Sequence, residues 1–329
     1  MSSDDTRLIP LMATQVTVFP NEGICIGITF RHAAADGRAF HHFMKSWASI
    51  CRTGGDLTCL DRSTPFHDRA VIKDPNGLDK NFLKELGNWA SAWEEDSDLI
   101  KNITEKVRAT FVLGRPHIEG LKKWVKGQCT NKEDLELEPL HLSTFVVTCA
   151  LIWVCLIKSQ HKGVTNFSDH KSKLCYFIFS ADCRNRLKFA VPCTYFGNCI
   201  APCFVELERR EVVGETGIFE AVIAIGNKVR QLETEALRGA ETWASGWKEM
   251  SEMGSAIVSV AGSPRLGVYD TDFGWGRPKK SEVVHIDVTG AISLAECRDE
   301  DGAIEVGLAL SRKNIGDFNA IWEQSLKLF

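Results

Sequence analysis

The chain has 329 residues, 44% of them hydrophobic and 25% charged, and a formal net charge of −4 at pH 7. This composition excludes intrinsic disorder as the main state and indicates a globular protein long enough for about two domains. Because 39 basic residues stand against 43 acidic ones, no global positive field would attract nucleic acid or an anionic membrane, and we expect neither as a partner.

The N-terminal segment has acidic residues where a signal peptide would carry basic ones. The longest apolar run, Phe145–Ile157, is shorter than the roughly 20 residues of a membrane span. We therefore expect a cytoplasmic protein, acting as a monomer. The twelve cysteines form no CxxC pair, which favours buried thiols over disulfides, and no metal site is predicted because Cys193, Cys199 and Cys203 lack a histidine to complete a zinc set.

In chain order, the first predicted elements are two strands, a helix, a surface connection and a second helix. The strands alternate or are rich in isoleucine, and the helix has aromatic residues at helical spacing. The connection is rich in Gly, Pro, Asp and Arg. These five elements cover Met12–Phe19, Gly23–Phe30, Arg38–Ile50, residues 52–80 and Asn81–Trp93.

The rest of the chain mixes short strands with helices and has no regular βαβ alternation. Helices are predicted over Ile118–Val125, Ser143–Ile157, Val213–Met250 with breaks at Gly239 and Gly246, and Phe318–Leu328. Strands are predicted over Ala109–Leu113, Lys173–Ser180, Ile200–Val205, Ile257–Val260, Val283–Ile286, Ala291–Leu294 and Ile304–Leu310. This pattern predicts the α+β class, with mixed sheets and flanking helices.

One segment carries residues suited to proton transfer, His32-Ala33-Ala34-Ala35-Asp36-Gly37. A neutral imidazole at the end of a strand can take a proton from a hydroxyl and return it to a leaving group. Three small alanines would let substrates approach closely. The HxxxD pattern is weak alone, and a structural histidine is the alternative.

A second motif supplies context, Asp272-Phe273-Gly274-Trp275-Gly276, whose two glycines indicate a sharply turning loop beside a large ring. With HAAADG and DFGWG in this order, the chain resembles the BAHD family of plant acyl-CoA-dependent acyltransferases. Residues 195–199, Tyr-Phe-Gly-Asn-Cys, resemble the YFGNC motif of the branch that acylates sugars on anthocyanins and phenolic glucosides. Residues 182–186 resemble the DxRxR stretch that precedes it.

The resemblance implies a two-domain, chloramphenicol-acetyltransferase-like architecture. Residues 1–130 would be the remaining part of the N-terminal domain with the start of the crossover, and residues 131–329 the C-terminal domain. Because His32 lies so near the start, we expect the first domain to be incomplete. The alternative to an active enzyme is then a truncated, catalytically impaired fragment that acts at most as a binding protein.

The resemblance also assigns roles to residues. His32 would be the general base that activates the acceptor hydroxyl for attack on the acyl-CoA thioester. Asp36 would pair with an arginine, for which Arg184 is the candidate, and Asp272, Gly274 and Trp275 would support the site. No cofactor would be bound permanently, since acyl-CoA is a co-substrate.

Coenzyme A carries phosphates, which lysines and helix N-termini bind well. The resemblance points to Lys122 and to Ser143, Thr144 and Phe145, the residues that open a predicted helix. A solvated helix face remains the alternative for Lys122.

The predicted activity is transfer of an acyl group, malonyl in the first instance, to a hydroxyl of a flavonoid, anthocyanin or phenolic glucoside. A malonyl carboxylate needs a cation, and Arg38 is the candidate for it. The sequence after Asp36 departs from the malonyl-transferring pattern, so a hydroxycinnamoyl donor remains open, as does a solvent-facing role for Arg38.

Overall fold

The computed structural model describes residues 10–61, 63–74, 76–90, 106–130, 141–161, 173–253 and 255–329. Within them the strands are β1 Met12–Phe19, β2 Gly23–Phe30, β3 Lys106–Leu113, β4 Leu174–Asp182, β5 Ile200–Glu208, β6 Ala256–Gly262, β7 Ile292–Glu296 and β8 Ile304–Ser311. The helices are α1 Gly37–Arg52, α2 Leu78–Ala90, α3 Arg115–Thr130, α4 Thr144–His161, α5 Arg209–Val213, α6 Gly217–Thr234, α7 Trp243–Glu252, α8 Ile286–Thr289 and α9 Arg312–Leu326.

Strands β1 and β2 form a separate antiparallel hairpin, in which Met12 lies opposite Phe30 and Phe19 opposite Gly23. The turn between them places Asn21 at a φ of 64°, a left-handed conformation that asparagine tolerates better than most residues. The hairpin leaves apolar side chains such as Val16 and Val18 exposed. It delivers the chain directly to His32.

A six-stranded mixed sheet in the order β3-β8-β7-β6-β4-β5 forms the centre of the molecule. The β4–β6 and β6–β7 pairs are parallel and the other three are antiparallel. Parallel neighbours need a crossover connection, and the chain from β6 to β7 makes one through a long loop and α8. That loop contains the DFGWG motif.

The main core lies between this sheet and helix α4. Positions 146–157 of α4 are buried on every side, which fits a helix that is apolar all round. Trp153 packs on Phe177 of β4, with ring centroids 5.5 Å apart, and helices α6 and α9 contribute Phe219 and Phe318 to the same core. Across the described ranges, none of the helices is long and apolar enough to cross a membrane.

The structure confirms the predicted mixed sheets with flanking helices and most of the predicted elements, with shifted ends. The prediction near Asn81–Trp93 becomes α2, which starts at Leu78, and Trp93 lies outside the described residues. Gly239, at a φ of 75°, does interrupt the long helical stretch. The break predicted at Gly246 is wrong, since this residue lies inside α7.

The strand predicted over Val283–Ile286 is also wrong. Val283 and Val284 are exposed, and the chain turns into the short helix α8, which ends at Gly290 in a left-handed conformation. Arg108 of β3 holds this turn, donating to Asp287 at 2.6 Å and to the Val284 carbonyl at 3.2 Å. A long-range ion pair therefore overrides the local β propensity of the valines.

Candidate active site

The predicted base, His32, lies on the turn between β2 and α1 and is exposed to solvent. Its ring stacks on Phe30 with centroids 6.1 Å apart, and Phe30 stacks in turn on Phe40 of α1 at 4.1 Å. The short alanine run brings the chain to the helix with little side-chain bulk. The imidazole is therefore open to solvent, on a turn that ends at the buried residues Ala35 and Asp36.

Asp36 anchors the other end of this turn and does not face the solvent. It is 1% exposed, and its Oδ1 accepts a hydrogen bond of 3.0 Å from the Ala39 backbone N–H, which makes it the N-cap of α1. The Cys199 backbone N–H donates to its Oδ2 at 3.0 Å. Arg184 completes the set at 2.9 Å from Oδ2 and 3.1 Å from Oδ1. The predicted Asp36–Arg184 pair is thus present, in a buried and hydrogen-bonded form.

Arg184 also joins the Tyr195–Cys199 loop and the end of β4 to this turn. Its guanidinium donates to the carbonyls of Tyr195 and Gly197, each at 3.1 Å, and to Asp182 Oδ1 at 2.9 Å. Burial alone would lower the pKa of Arg184, but the bonds to Asp36 and Asp182 raise it above its ordinary value. The guanidinium stays charged, and breaking either contact would leave a buried charge without its full set of partners.

Arg38, the predicted ligand of an acyl carboxylate, forms an ion pair with another residue of the same chain while remaining exposed. Its Nη1 donates to Asp182 Oδ2 at 2.6 Å. Burial of Asp182 would raise the pKa of that carboxyl, but hydrogen bonds from the Arg184 backbone and from the Arg38 and Arg184 side chains lower it. Asp182 therefore neutralises part of the charge that a malonyl carboxylate would need.

The Tyr195–Cys199 loop contacts the His32 turn directly. Asn198 Nδ2 donates to the His32 carbonyl at 2.7 Å, and the Asp36 backbone N–H donates to the Gly197 carbonyl at 3.4 Å. A residue that sequence reasoning missed joins them: Arg69, in the predicted surface connection, donates to the Ala34 carbonyl at 3.2 Å and to the Tyr195 hydroxyl at 3.3 Å. The one sequence signal for Arg69 was the arginine-rich composition of the connection.

The DFGWG loop packs against the opposite end of α1. Asp272 Oδ1 accepts backbone hydrogen bonds from Gly274 at 2.8 Å and Gly276 at 2.9 Å, and these bonds, the first above all, lower the pKa of its carboxyl. Both glycines have positive φ angles, 105° and 91°, which favour glycine. Asp272 therefore acts inside its own loop.

Aromatic contacts fix this loop on the helix. Phe273 packs edge-on against Trp47 of α1 at 5.1 Å, and Trp275 stacks on Phe273 at 6.2 Å while remaining 74% exposed. The helix between Gly37 and Arg52 is about 22 Å long at 1.5 Å per residue. The loop and the His32 turn therefore contact opposite ends of α1.

The residues predicted to bind coenzyme A converge on the start of α4. Lys122 of α3 donates to Thr144 Oγ1 at 3.2 Å and to Glu119 at 2.8 Å. Ser143 Oγ accepts from the Val146 backbone N–H at 3.3 Å, so this side chain caps the start of the helix. Phe145 packs on Phe179 of β4 at 5.2 Å. This arrangement is a cation beside a helix N-terminus, which suits an anion, and Glu119 offsets part of the lysine charge as Asp182 does for Arg38.

Two buried thiols, those of Cys199 and Cys203, do not compete with His32 for this role. Burial raises the pKa of the Cys199 thiol to about 11 and that of Cys203 to about 12, so neither is a ready thiolate nucleophile. Among the residues that the structure describes, no group of three or more His, Cys, Asp or Glu side chains could hold a metal ion. The site can therefore offer an exposed imidazole on a rigid turn for proton transfer.

Comparison with known proteins gives the same family as the motifs. The model of the Transferase family matches residues 1–325. A coumaroyl-CoA:anthocyanidin 3-O-glucoside-6''-O-coumaroyltransferase of Arabidopsis thaliana is 39% identical over the whole chain, which covers 70% of that protein. The chain belongs to the BAHD acyltransferase family. A malonyl-coenzyme A:anthocyanin 3-O-glucoside-6''-O-malonyltransferase of Dahlia pinnata is 36% identical, with 99% of this chain and 68% of the relative covered.

Solved structures confirm the BAHD fold. Vinorine synthase superposes with a TM-score of 0.61 over 93% of this chain and 64% of its own, at 17% identity. The TRI101 protein of F. sporotrichioides, crystallised with coenzyme A and T-2, gives a TM-score of 0.64 over 96% of this chain and 69% of its own, at 14% identity. The chain thus spans roughly two thirds of the length of each of these two structures.

Proposed function

We propose that this protein is an acyl-CoA-dependent O-acyltransferase that acylates a sugar hydroxyl of a phenolic or anthocyanin glucoside. The observation that carries the proposal is the exposed imidazole of His32 on a turn fixed by the buried Asp36–Arg184 pair. Family membership and the names of the relatives support the same chemistry.

In the proposed reaction, His32 accepts the proton of the acceptor hydroxyl as its oxygen attacks the thioester carbonyl of acyl-CoA. The tetrahedral intermediate collapses, the C–S bond breaks, and the imidazolium returns the proton to the departing thiolate. The products are an ester and free coenzyme A. Asp36 does not act as a triad carboxylate, because both its oxygens are occupied by Arg184, Ala39 and Cys199.

Malonyl-CoA is the first proposed donor, on the strength of the Tyr195–Cys199 motif and of the Dahlia pinnata relative. A coumaroyl donor is the second candidate, and one contact favours it. The ion pair of 2.6 Å between Arg38 and Asp182 offsets the charge that would bind a malonyl carboxylate, whereas an uncharged coumaroyl group needs no such cation. The Arabidopsis thaliana relative uses the coumaroyl donor by its name.

We further propose that Lys122, with the start of α4, binds the phosphates of coenzyme A. Replacing it by methionine, Lys122→Met, removes the cation but keeps the aliphatic stem. The KM for acyl-CoA should rise about 3- to 10-fold for one lost charge-assisted contact, while the KM for the acceptor stays the same. The exposed neighbouring lysine provides the matched control, Lys123→Met. Equal effects of the two variants on the KM for acyl-CoA would contradict the role of Lys122.

The test of the function is incubation of the purified chain with each donor and a panel of flavonoid glucosides. Release of free thiol reports turnover, and mass spectrometry of the product identifies the acyl group and the acylated sugar. Ester formation with either donor supports the proposal. No thiol release from a chain with a cooperative melting transition would contradict it, and would favour the alternative of an impaired chain that only binds its ligands.

We also propose that residues 1–130 and 131–329 form the two parts of the acyltransferase fold, and that the protein acts as a cytoplasmic monomer. Size-exclusion chromatography with light scattering tests the monomer, for which a mass near 36.6 kDa is expected. A concentration-independent dimer mass would contradict it.

A further inference from the structure

The turn that carries His32 exposes two backbone carbonyls, and a side chain from outside the turn donates to each. Asn198 Nδ2 lies 2.7 Å from the His32 carbonyl oxygen. Arg69 Nη2 lies 3.2 Å from the carbonyl oxygen of Ala34, two residues later. These contacts are separate from the Asp36–Arg184 pair, which holds the start of α1. They act on the part of the turn from which the imidazole projects.

The orientation of the Asn198 amide follows from its surroundings. The reverse orientation would place Oδ1 against the His32 carbonyl, and two acceptors would then face each other. In the orientation present, Oδ1 is buried and has no hydrogen-bond partner among the described residues. Leaving a buried acceptor unsatisfied costs free energy, so the contact with His32 is kept in spite of this cost.

Arg69 is held in place from several directions. The backbone of Phe66 bonds with the Tyr195 loop on both sides, donating to Thr194 at 3.0 Å and accepting from Phe196 at 2.8 Å. The Arg69 guanidinium then lies 5.8 Å from the centroid of the Tyr195 ring, within cation–π range. A Cβ on Gly197 would clash with Arg69 Nη1, so the loop approaches closely because residue 197 is glycine.

We propose that Asn198 and Arg69 are positioning residues that fix the His32 turn, so that the imidazole points at the acceptor hydroxyl. This inference rests on the proposed function, because it assumes that His32 is the base. Neither side chain transfers a proton itself. A small displacement of a catalytic group lowers the chemical rate steeply, whereas substrate binding elsewhere is unaffected.

Two substitutions test the proposal with little change of volume. Asn198→Asp replaces the donor by an acceptor that repels the His32 carbonyl, and Arg69→Met removes the guanidinium. We expect kcat to fall about 10- to 100-fold in each, as for a misplacement on the order of 1 Å, with the KM values for both substrates unchanged. The kcat of Arg69→Lys should lie between those of wild type and Arg69→Met, since one ammonium group cannot replace both contacts of the guanidinium.

Matched controls separate positioning from general damage. Asn81→Asp makes the same chemical change at an exposed position of α2. Lys73→Met removes a cation of the same connection, and the Nζ of this lysine donates only within its own segment, to the Ala70 carbonyl. Both controls should keep the wild-type kcat. Because the two proposed residues act on one turn, the double variant Asn198→Asp/Arg69→Met should lose less than the product of the single losses.

A second readout does not depend on turnover. With 13C-labelled histidine, the imidazole signal of His32, assigned by its loss in His32→Ala, should shift in Asn198→Asp and Arg69→Met and stay unchanged in both controls. Unchanged His32 signals and a wild-type kcat, or a change confined to KM, would overturn the proposal. If wild type itself shows no turnover, the proposed function fails, and the imidazole signal alone then decides whether these residues position His32.

Discussion

Asp36 has two structural roles, as the cap of a helix and as the partner of a buried arginine, which the local sequence does not distinguish. It caps α1 through Ala39, and it receives Arg184 and the Cys199 N–H from a loop more than 140 residues away. A carboxylate at a helix N-terminus is favourable on its own. Here the buried arginine adds an ion pair whose partners satisfy one another, so the HxxxD aspartate maintains the structure of the site rather than reacting.

Removing this charge should destabilise the fold. In Asp36→Asn, Arg184 loses a buried counterion and keeps only Asp182 as an ionic partner, so we expect the free energy of unfolding to fall by about 3 kcal/mol. Urea denaturation followed by circular dichroism measures it. Asp61→Asn, at an exposed aspartate, is the control and should change the midpoint little. Equal midpoints for Asp36→Asn and wild type would contradict the structural role.

His41 gives the protein a predictable response to acid. Burial first, and the nearby charge of Lys45 second, lower the pKa of its imidazole from 6.5 to about 4. Between these values the unfolded chain binds the proton and the folded one does not. The contribution of His41 to the free energy of unfolding is therefore complete above pH 6.5. It decreases by up to about 1.4 kcal/mol per pH unit as the pH falls towards 4.

The variant His41→Phe keeps a ring in place but cannot titrate. Its urea midpoint should change less than that of wild type between pH 7 and pH 5. The exposed histidine of α3, His117, provides the control. The urea midpoint of His117→Phe should change between pH 7 and pH 5 as much as that of wild type. A pH dependence in His41→Phe as steep as in wild type would show that another group causes the acid response.

Among the elements, helix α1 connects the motifs. Its first residues meet the Tyr195 loop through Asp36, and Lys45 lies 3.5 Å from Asp270 halfway along. Its second half meets the DFGWG loop, since Trp47 packs on Phe273 and the last helix residue, Arg52, lies 3.9 Å from Asp272. The two signature motifs thus stabilise one helix from its two ends, which gives DFGWG a physical role without direct contact with the base.

This role makes the DFGWG loop sensitive to Asp272. In Asp272→Ala, the N–H groups of Gly274 and Gly276 lose their acceptor. We expect their amide hydrogens to exchange about 2- to 10-fold faster, the factor of one ordinary hydrogen bond. Asp272→Asn keeps an oxygen acceptor, so its exchange rates at these two glycines should lie between those of wild type and Asp272→Ala. Unchanged exchange at both glycines in Asp272→Ala would show that other contacts hold the loop.

Local pattern predicted the hairpin, α1, α4 and the strands of the central sheet because each has a continuous apolar or alternating sequence. It failed at residues 283–286, where Arg108 imposes a turn from a distant strand. It also missed Arg69 and Asn198 as contacts of the His32 turn. Their importance depends on which carbonyls the fold brings near them, and no spacing along the chain contains that information.

Considered as a whole, the molecule separates the parts of its proposed chemistry among different elements. The base follows a hairpin, its support comes from the β4–β5 connection, and the cation proposed for coenzyme A lies on α3 beside α4. The central sheet with α4 supplies the rigid frame. Catalysis would then depend on the frame holding an exposed imidazole in one orientation.

The proposed general base, His32, is tested most directly by comparing kcat of wild type and His32→Gln with acyl-CoA and a glucoside acceptor. Glutamine keeps a similar shape but cannot accept the proton. We predict a loss of kcat on the order of 10²- to 10⁴-fold with an unchanged melting transition. Turnover of His32→Gln at the wild-type kcat would contradict the role of His32.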